Sequence, residues 1–348
     1  LLMMGISTSI IGILPPAASA GVGVVIVLQL MRLAQCFGRG GTWGGGILMA
    51  YENVPENKRS FYAAIPQIGL PIGFGLSSIL IAVPTLLLPE DIFFTWGWRI
   101  PFLAAIILTV IVIRQKGEMM ETEDYKKAQA KLEAEEAEGK KHKVGFIPMV
   151  KGYWKTLLLG CGTRWVDGTF YNIFIVWILS YCINWLGMPL IQTYIITIIA
   201  CIFKIPFTLF GGWCAQKLGN TRTFVIGALA SAVLSVPTLK VIELSKGNLA
   251  ITIIGIVLGW SIAYNLIWAV ISSLWSSYFE TEVRYSGISF VYHVPSFLVA
   301  GMVPTICTLL INYGKGDTIY VGIYSTVVAL ISAACALALK ARHDRGEK

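Results

Sequence analysis

Residues 32–46 read RLAQCFGRGGTWGGG, and they lie in a stretch, 22–52, long and apolar enough to cross a bilayer. Arg32 and Arg39 are therefore placed where charge is costly. A centrally placed Arg opposes helix insertion by roughly 2.5–3.5 kcal/mol. Two of them, two helical turns apart, require a water-filled cavity or partner charges. Arg32, Gln35 and Arg39 are spaced i, i+3, i+7, so they share one helix face. The glycines around them let neighbouring helices approach closely. Ionisable residues inside a membrane mark functional sites. This one helix implies that a polar solute crosses the membrane.

Composition agrees. The chain has 348 residues, 56% hydrophobic and 13% charged, with mean hydropathy +0.71. Soluble domains carry about 25% charged residues, so an all-α polytopic membrane protein is expected. The net charge of +8 then reflects cytoplasmic loops, not nucleic-acid binding. The seven cysteines, at 36, 161, 182, 201, 214, 307 and 335, fall in apolar spans without a CxxC. They read as small, reduced hydrophobes. His142, His293 and His343 are scattered, so no metal site is expected. Leu1 already lies in an apolar segment, without an initiator Met or a basic leader region. No signal peptide is expected, and the start of the chain reads as missing.

A helix needs about 20 apolar residues to cross the hydrocarbon core. That ruler finds ten spans: 1–14, 22–52, 58–88, 92–115, 154–187, 189–217, 220–244, 248–280, 282–313 and 316–341. Turn residues such as Pro15-Pro16, Pro89, Gly187 with Pro189, and Gly314 with Gly316 mark their ends. Residues 116–143, KGEMMETEDYKKAQAKLEAEEAEGKKHK, are polar and read as a solvated linker helix. Most of the 27 Lys and Arg fall on one set of alternate connections, while the other side carries Lys240, Lys246 and Lys315. The linker and the C-terminus are therefore expected to be cytoplasmic. The expected organisation is an N-terminal bundle (1–115), a linker (116–153) and a C-terminal six-helix bundle with a tail (154–348). Transporters are often two pseudo-repeated bundles. Four spans before the linker and six after it imply two missing at the N-terminus.

Particular motifs carry a resemblance. They are RLAQCFGRGGTWGGG (32–46) followed by Glu52 and Pro55, QIGLPIG (67–73), WGWRIPFL (96–103), GGWCAQKLGNTR (211–222) and VRYSG (283–287). Over essentially its whole length the chain resembles the major facilitator superfamily, in the metabolite:proton symporter branch of proline/betaine, α-ketoglutarate, citrate and shikimate permeases. The resemblance implies ten of that fold's twelve transmembrane helices, with Leu1 in the third and Arg32 in the fourth. It implies a monomer in a prokaryotic inner or plasma membrane, driven by the proton gradient without a cofactor. Substrate and proton would share a site served by alternating access. Gly211 to Arg222 resembles the second copy of the superfamily's gating motif, with Gln216 at the family's Asp and Lys217 at the following basic position. Gln216, Lys217 and Arg222 are the gating candidates. The chain departs from the pattern at Cys36, Thr42 and Arg39, which shift the fourth helix toward positive charge. It also departs at Trp268 to Ile271 and at His293.

Guanidinium groups bind carboxylates bidentately, so Arg32, Gln35 and Arg39 are candidates for a substrate carboxylate. Arg39 lies roughly 20 Å deep at helical rise. Arg164, Tyr264 and Trp268 complete the expected substrate site. Asp167 is the acidic residue well inside a span, and Arg164 precedes it by one helical turn. Burial raises a carboxyl pKa and a neighbouring Arg lowers it, so Asp167 is the first candidate for proton coupling, a static Arg164–Asp167 pair being the alternative. Lys204 is expected at similar depth, where an ion pair with Asp167 is open to it, and His293 belongs to the side-chain type whose ordinary pKa lies near neutrality, a structural hydrogen bond being its alternative role. These two complete the coupling set. Tyr264, Trp268 and Trp275 recur on one helix and could hold a quaternary ammonium by cation–π attraction, or simply pack. That stripe favours betaine-like ligands, while Arg39 favours anions. The leading expectation is a proton symporter of a small carboxylate-bearing metabolite. A proline/betaine-type osmolyte symporter is the alternative, and a membrane sensor or membrane-embedded enzyme is the reading of another class. No span-embedded Ser/His/Asp, His-cluster or HExxH arrangement supports an enzyme.

Overall fold

The computed structural model describes residues 2–16, 21–40, 43–116 and 146–347. Every regular element among them is a helix. The linker expected at 116–143 lies almost wholly outside these residues, as do Thr42 and the side chain of Arg39. In chain order the helices are α1 (Leu2–Ile13), α2 (Val22–Gly40), α3 (Trp43–Glu52), α4 (Glu56–Leu87), α5 (Glu90–Thr95), α6 (Ile100–Lys116), α7 (Met149–Asn184), α8 (Leu190–Leu218), α9 (Asn220–Leu244), α10 (Leu249–Ser276), α11 (Thr281–Tyr313) and α12 (Ile319–Asp344). Seven described helices, α4 and α7 to α12, are long and apolar enough to cross a membrane. The shorter apolar helices Leu2–Ile13, Val22–Gly38 and Gly97–Ile111 fall on the remaining expected spans.

The helices form two compact units that do not simply follow chain order. One holds Leu1–Gly46 with Leu76–Glu121, the other Ile47–Gly75 with Thr122–Lys348. In the first, α1 packs on α2 and α6. Arg99, from the WGWRIPFL motif, donates through Nη1 to the carbonyls of Gly12 (2.9 Å) and Leu14 (2.7 Å). It thereby caps carbonyls that the C-terminal end of α1 leaves without an intrahelical donor.

The second unit carries the larger core. There α9 packs along α12 and α10, α7 against α11 and α12, and α8 against α10 and the start of α4. Small residues set the spacing. A Cβ at Gly227 would lie 2.8 Å from Leu266 Cβ and 3.0 Å from the Ile267 nitrogen, so α9 and α10 approach only because that position is glycine. Gly219, at φ +89°, turns the chain between α8 and α9. Asn248 caps α10 by accepting from the Ala250 and Ile251 amides. Two helices are locally widened. Asn172–Trp177 in α7 and Val257–Ala263 in α10 are π-helical, a geometry frequent at functional sites. They flank the charged positions that follow.

Candidate functional site

Arg164 and Asp167 stand one turn apart on α7, and both are buried, at 7% and 1% exposure. Arg164 Nη1 pairs with Asp167 Oδ2. Tyr264 of α10, itself buried, donates its hydroxyl to Asp167 Oδ1. Both carboxylate oxygens thus have a donor. The Arg164 guanidinium lies over the Tyr292 ring of α11, 4.4 Å from its centroid, and reaches Ser296 Oγ at 3.4 Å. Arg164 Nε is buried without a hydrogen-bond partner.

Lys204 enters from α8 and is fully buried. The direct ion pair with Asp167 that its depth allowed does not form. Asp167 is taken by Arg164, and the Lys204 ammonium sits instead between two ring faces. Its Nζ is 4.3 Å from the centroids of both Trp260 and Tyr264. One hydrogen bond runs to the Trp260 carbonyl at 3.4 Å. Tyr264 therefore links the two charges, with its ring on Lys204 and its hydroxyl on Asp167.

Polar stitches between α8 and α10 hold this arrangement. Asn265 Nδ2 donates to the Lys204 carbonyl at 2.8 Å, and Thr208 Oγ1 to Asn265 Oδ1 at 3.1 Å. Ser261 Oγ donates to the Ala200 carbonyl at 2.8 Å. Phe170 of α7 stacks on Tyr264 with 10° between the rings. The polar bonds tie α8 to α10, and the Phe170 contact restrains the Tyr264 ring that faces both charges.

The aromatic stripe of α10 divides by role. Of the expected three, Tyr264 touches both Asp167 and Lys204. Trp268 Nε1 donates to the Gln67 carbonyl (3.0 Å), and Gln67 Nε2 returns a bond to the Trp268 carbonyl (3.2 Å), which stitches α10 to α4. Trp275 Nε1 donates to Thr163 Oγ1 at 2.9 Å. Trp260 was missed in the sequence, although it lies one turn before Tyr264 on the same stripe. His293 stands edge-on to Tyr292 with centroids 5.0 Å apart. It is adjacent in sequence to the ring that Arg164 covers, and no described contact joins it to Asp167.

Arg32 and Gln35 belong to the first unit. Arg32 is exposed, with Nη1 3.4 Å from Gln35 Oε1, and Gln35 Nε2 donates to Thr8 Oγ1 at 2.7 Å. Gln35 thus joins α2 to α1. Of the gating candidates, Gln216 accepts from the Phe61 amide at 3.4 Å, Lys217 lies over the Trp213 ring at 4.3 Å, and Arg222 is exposed. A stronger charged contact at the ends of these helices is Arg284 Nη1 with Glu52 Oε1, 2.8 Å apart and largely buried. Arg59 and Arg284 both approach the Tyr51 ring, at 5.3 and 5.7 Å. Glu52 and the VRYSG arginine stood in the resembling motifs, but their distance in sequence concealed the pairing.

A bundle of bilayer-length helices that buries charges in its interior has the architecture of a membrane transporter. The model of the Major Facilitator Superfamily matches residues 1–304, and the chain belongs to that family. It is 30% identical to the shikimate transporter of Escherichia coli over 97% of this chain and 76% of that protein. It is 31% identical to the inner membrane metabolite transport protein YhjE of the same species, over 99% and 77%. A proline/betaine transporter of Salmonella typhimurium is 26% identical over 99% and 68%. Among solved structures, the proton:xylose symporter XylE superposes with TM-score 0.72 at 15% identity, covering 97% of this chain and 77% of that one. The fold and the relatives are those of transporters, not enzymes.

Proposed function

We propose that this transporter carries a small carboxylate-bearing metabolite by proton symport across a bacterial inner membrane. The observation that carries the reading is the Arg164–Asp167–Tyr264 cluster. It is a carboxylate buried in a membrane span, held by a cation and a phenol that can both release it. Protonation of Asp167 would free Arg164 to bind a substrate carboxylate, since the guanidinium keeps its charge and exchanges one carboxylate for another. Proton and anion would then enter together. Arg32, Gln35 and Arg39 on α2, with Trp268, belong to the same reading as substrate contacts, and Lys204 and His293 as tuning charges. Gln216, Lys217 and Arg222 stand as gating residues, and the Glu52–Arg284 pair joins them as a contact able to open and close. The reading includes a monomer whose bundles, 1–115 and 154–348, are joined by the linker 116–153. Linker and tail are cytoplasmic on the strength of the basic-residue asymmetry.

A proline/betaine-type symporter is the second reading, favoured by the aromatic faces of Trp260 and Tyr264 around a cation. Uptake of labelled shikimate and glycine betaine into proteoliposomes, with and without an imposed pH gradient, tests both. Gradient-driven shikimate accumulation is expected. Equal uptake with and without the gradient would remove the coupling, preferential uptake of betaine would select the second reading, and uptake of neither would defeat both.

A further inference from the structure

An isolated ammonium buried in a protein interior is costly unless it is paired, and Lys204 is fully buried. Among the described residues no carboxylate touches it directly. The nearby Asp167 has Oδ2 on Arg164 and Oδ1 on Tyr264. What holds the ammonium is a pair of ring faces, each 4.3 Å away, and one long hydrogen bond to a carbonyl. Ring faces gathered around a cation are the means by which proteins recognise alkylammonium ligands. The Trp260 indole N–H is buried without a partner, so the ring's position is not dictated by its own hydrogen bonding. The backbone beneath the box is fixed by Asn265, Thr208 and Ser261. Counted by residue type, two basic groups, Arg164 and Lys204, stand around the one carboxylate of Asp167, a formal excess of one positive charge.

We infer that Lys204 is a tethered occupant of the Trp260–Tyr264 box and thereby sets the substrate class. It fills the seat that a substrate's ammonium group would take. It also leaves the cluster with a surplus positive charge that an anionic group complements. The transporter therefore selects carboxylates without an amino or quaternary ammonium group and rejects zwitterions of the proline/betaine type. This inference rests on the transport reading, yet the box can be tested apart from it.

Two variants separate the bulk of Lys204 from its charge. Lys204→Ala empties the box. Calorimetric titration of the purified full chain with n-propylammonium, which replaces the deleted stem and head, should show binding at least about tenfold tighter than to wild type. Adding Trp260→Ala should abolish the gain. Equal binding to wild type and Lys204→Ala would overturn the box. Lys204→Met keeps the bulk and removes the charge, which guards against a folding defect in the truncation. In proteoliposomes its preference for shikimate over glycine betaine should fall at least about tenfold, the scale of one desolvated cation–π or ionic contact. An unchanged preference would overturn the selectivity role. If wild type carries neither solute, the transport reading fails and the selectivity role falls with it, while the propylammonium titration still decides whether the box is a cation seat.

Discussion

Two groups of charges in the second unit have opposite balance and opposite exposure. In the middle of the helices, Asp167 is the one carboxylate among the described residues that faces Arg164 and Lys204, and all three are almost fully buried. Near the junction of α11 and α12, Lys240 faces two carboxylates, Glu243 at 3.0 Å and Asp317 at 2.6 Å, with side chains 24–41% exposed. There the acceptors are also filled from the backbone. Glu243 Oε2 takes the Thr318 amide at 2.8 Å and its hydroxyl at 2.7 Å, and Asp317 Oδ1 takes the Ile319 amide at 2.7 Å. Water can reach this network, so its charges cost little and it staples a loop. The buried group has no such relief. Replacing buried ion pairs by apolar residues is often neutral or stabilising, so stability alone is a poor reason to keep one inside a membrane span.

The sharpest way to break this contrast is Asp167→Ala, which leaves Arg164 buried with no counter-charge. Unfolding in detergent should show a loss of about 3–5 kcal/mol. A loss below about 1 kcal/mol would mean that the cluster behaves like a surface pair. Next comes Tyr264→Phe, which deletes one donor to Asp167 but keeps the ring on Lys204 and Phe170. The cost should be about 1–3 kcal/mol, and a neutral result would show that the hydroxyl is dispensable to the carboxylate. Lys240→Met, in the outer network, should cost only about 0.2–1 kcal/mol. That difference should shrink in about 1 M salt while the Asp167→Ala difference persists, because screening acts on exposed charges.

The smallest expected effect concerns pH. Hydrogen bonding from Lys240, and then from the Ile319 amide, holds the Asp317 carboxyl below its ordinary value. A depressed carboxyl stabilises the fold above its unfolded pKa, about 4, and that contribution is lost as pH falls through the lower, folded value. Asp317→Asn should therefore melt slightly below wild type near neutrality, and the gap should close in acid below pH ~4. A gap that widens in acid would contradict the sign.

Much of the fold was legible because a bilayer imposes length. Seven of the ten expected spans are membrane-length apolar helices among the described residues, shorter apolar helices fall on the other three, and their turns fall where Pro and Gly stood. Burial of single residues was legible where charge interrupted an apolar run, as at Arg164, Asp167 and Lys204. Pairing was legible only within one helix, where Arg164 and Asp167 stand one turn apart and do pair. Between helices it was not: Lys204 and Asp167 looked like partners by depth, but Arg164 on the same helix as the carboxylate takes it. The stripe on α10 looked uniform, yet Trp268 and Trp275 spend their N–H groups on α4 and α7 while Tyr264 turns to the charges. Glu52 and Arg284 are far apart in sequence, and nothing local to either one announces the other.

Amino-acid order alone determined that this chain is a stack of membrane helices with a few charges inside them, because hydropathy and helical rise act locally. Which charge meets which partner was decided only in three dimensions. At fixed depth several partners compete, and α8 against α10 brings two aromatic rings to Lys204 before any carboxylate can reach it.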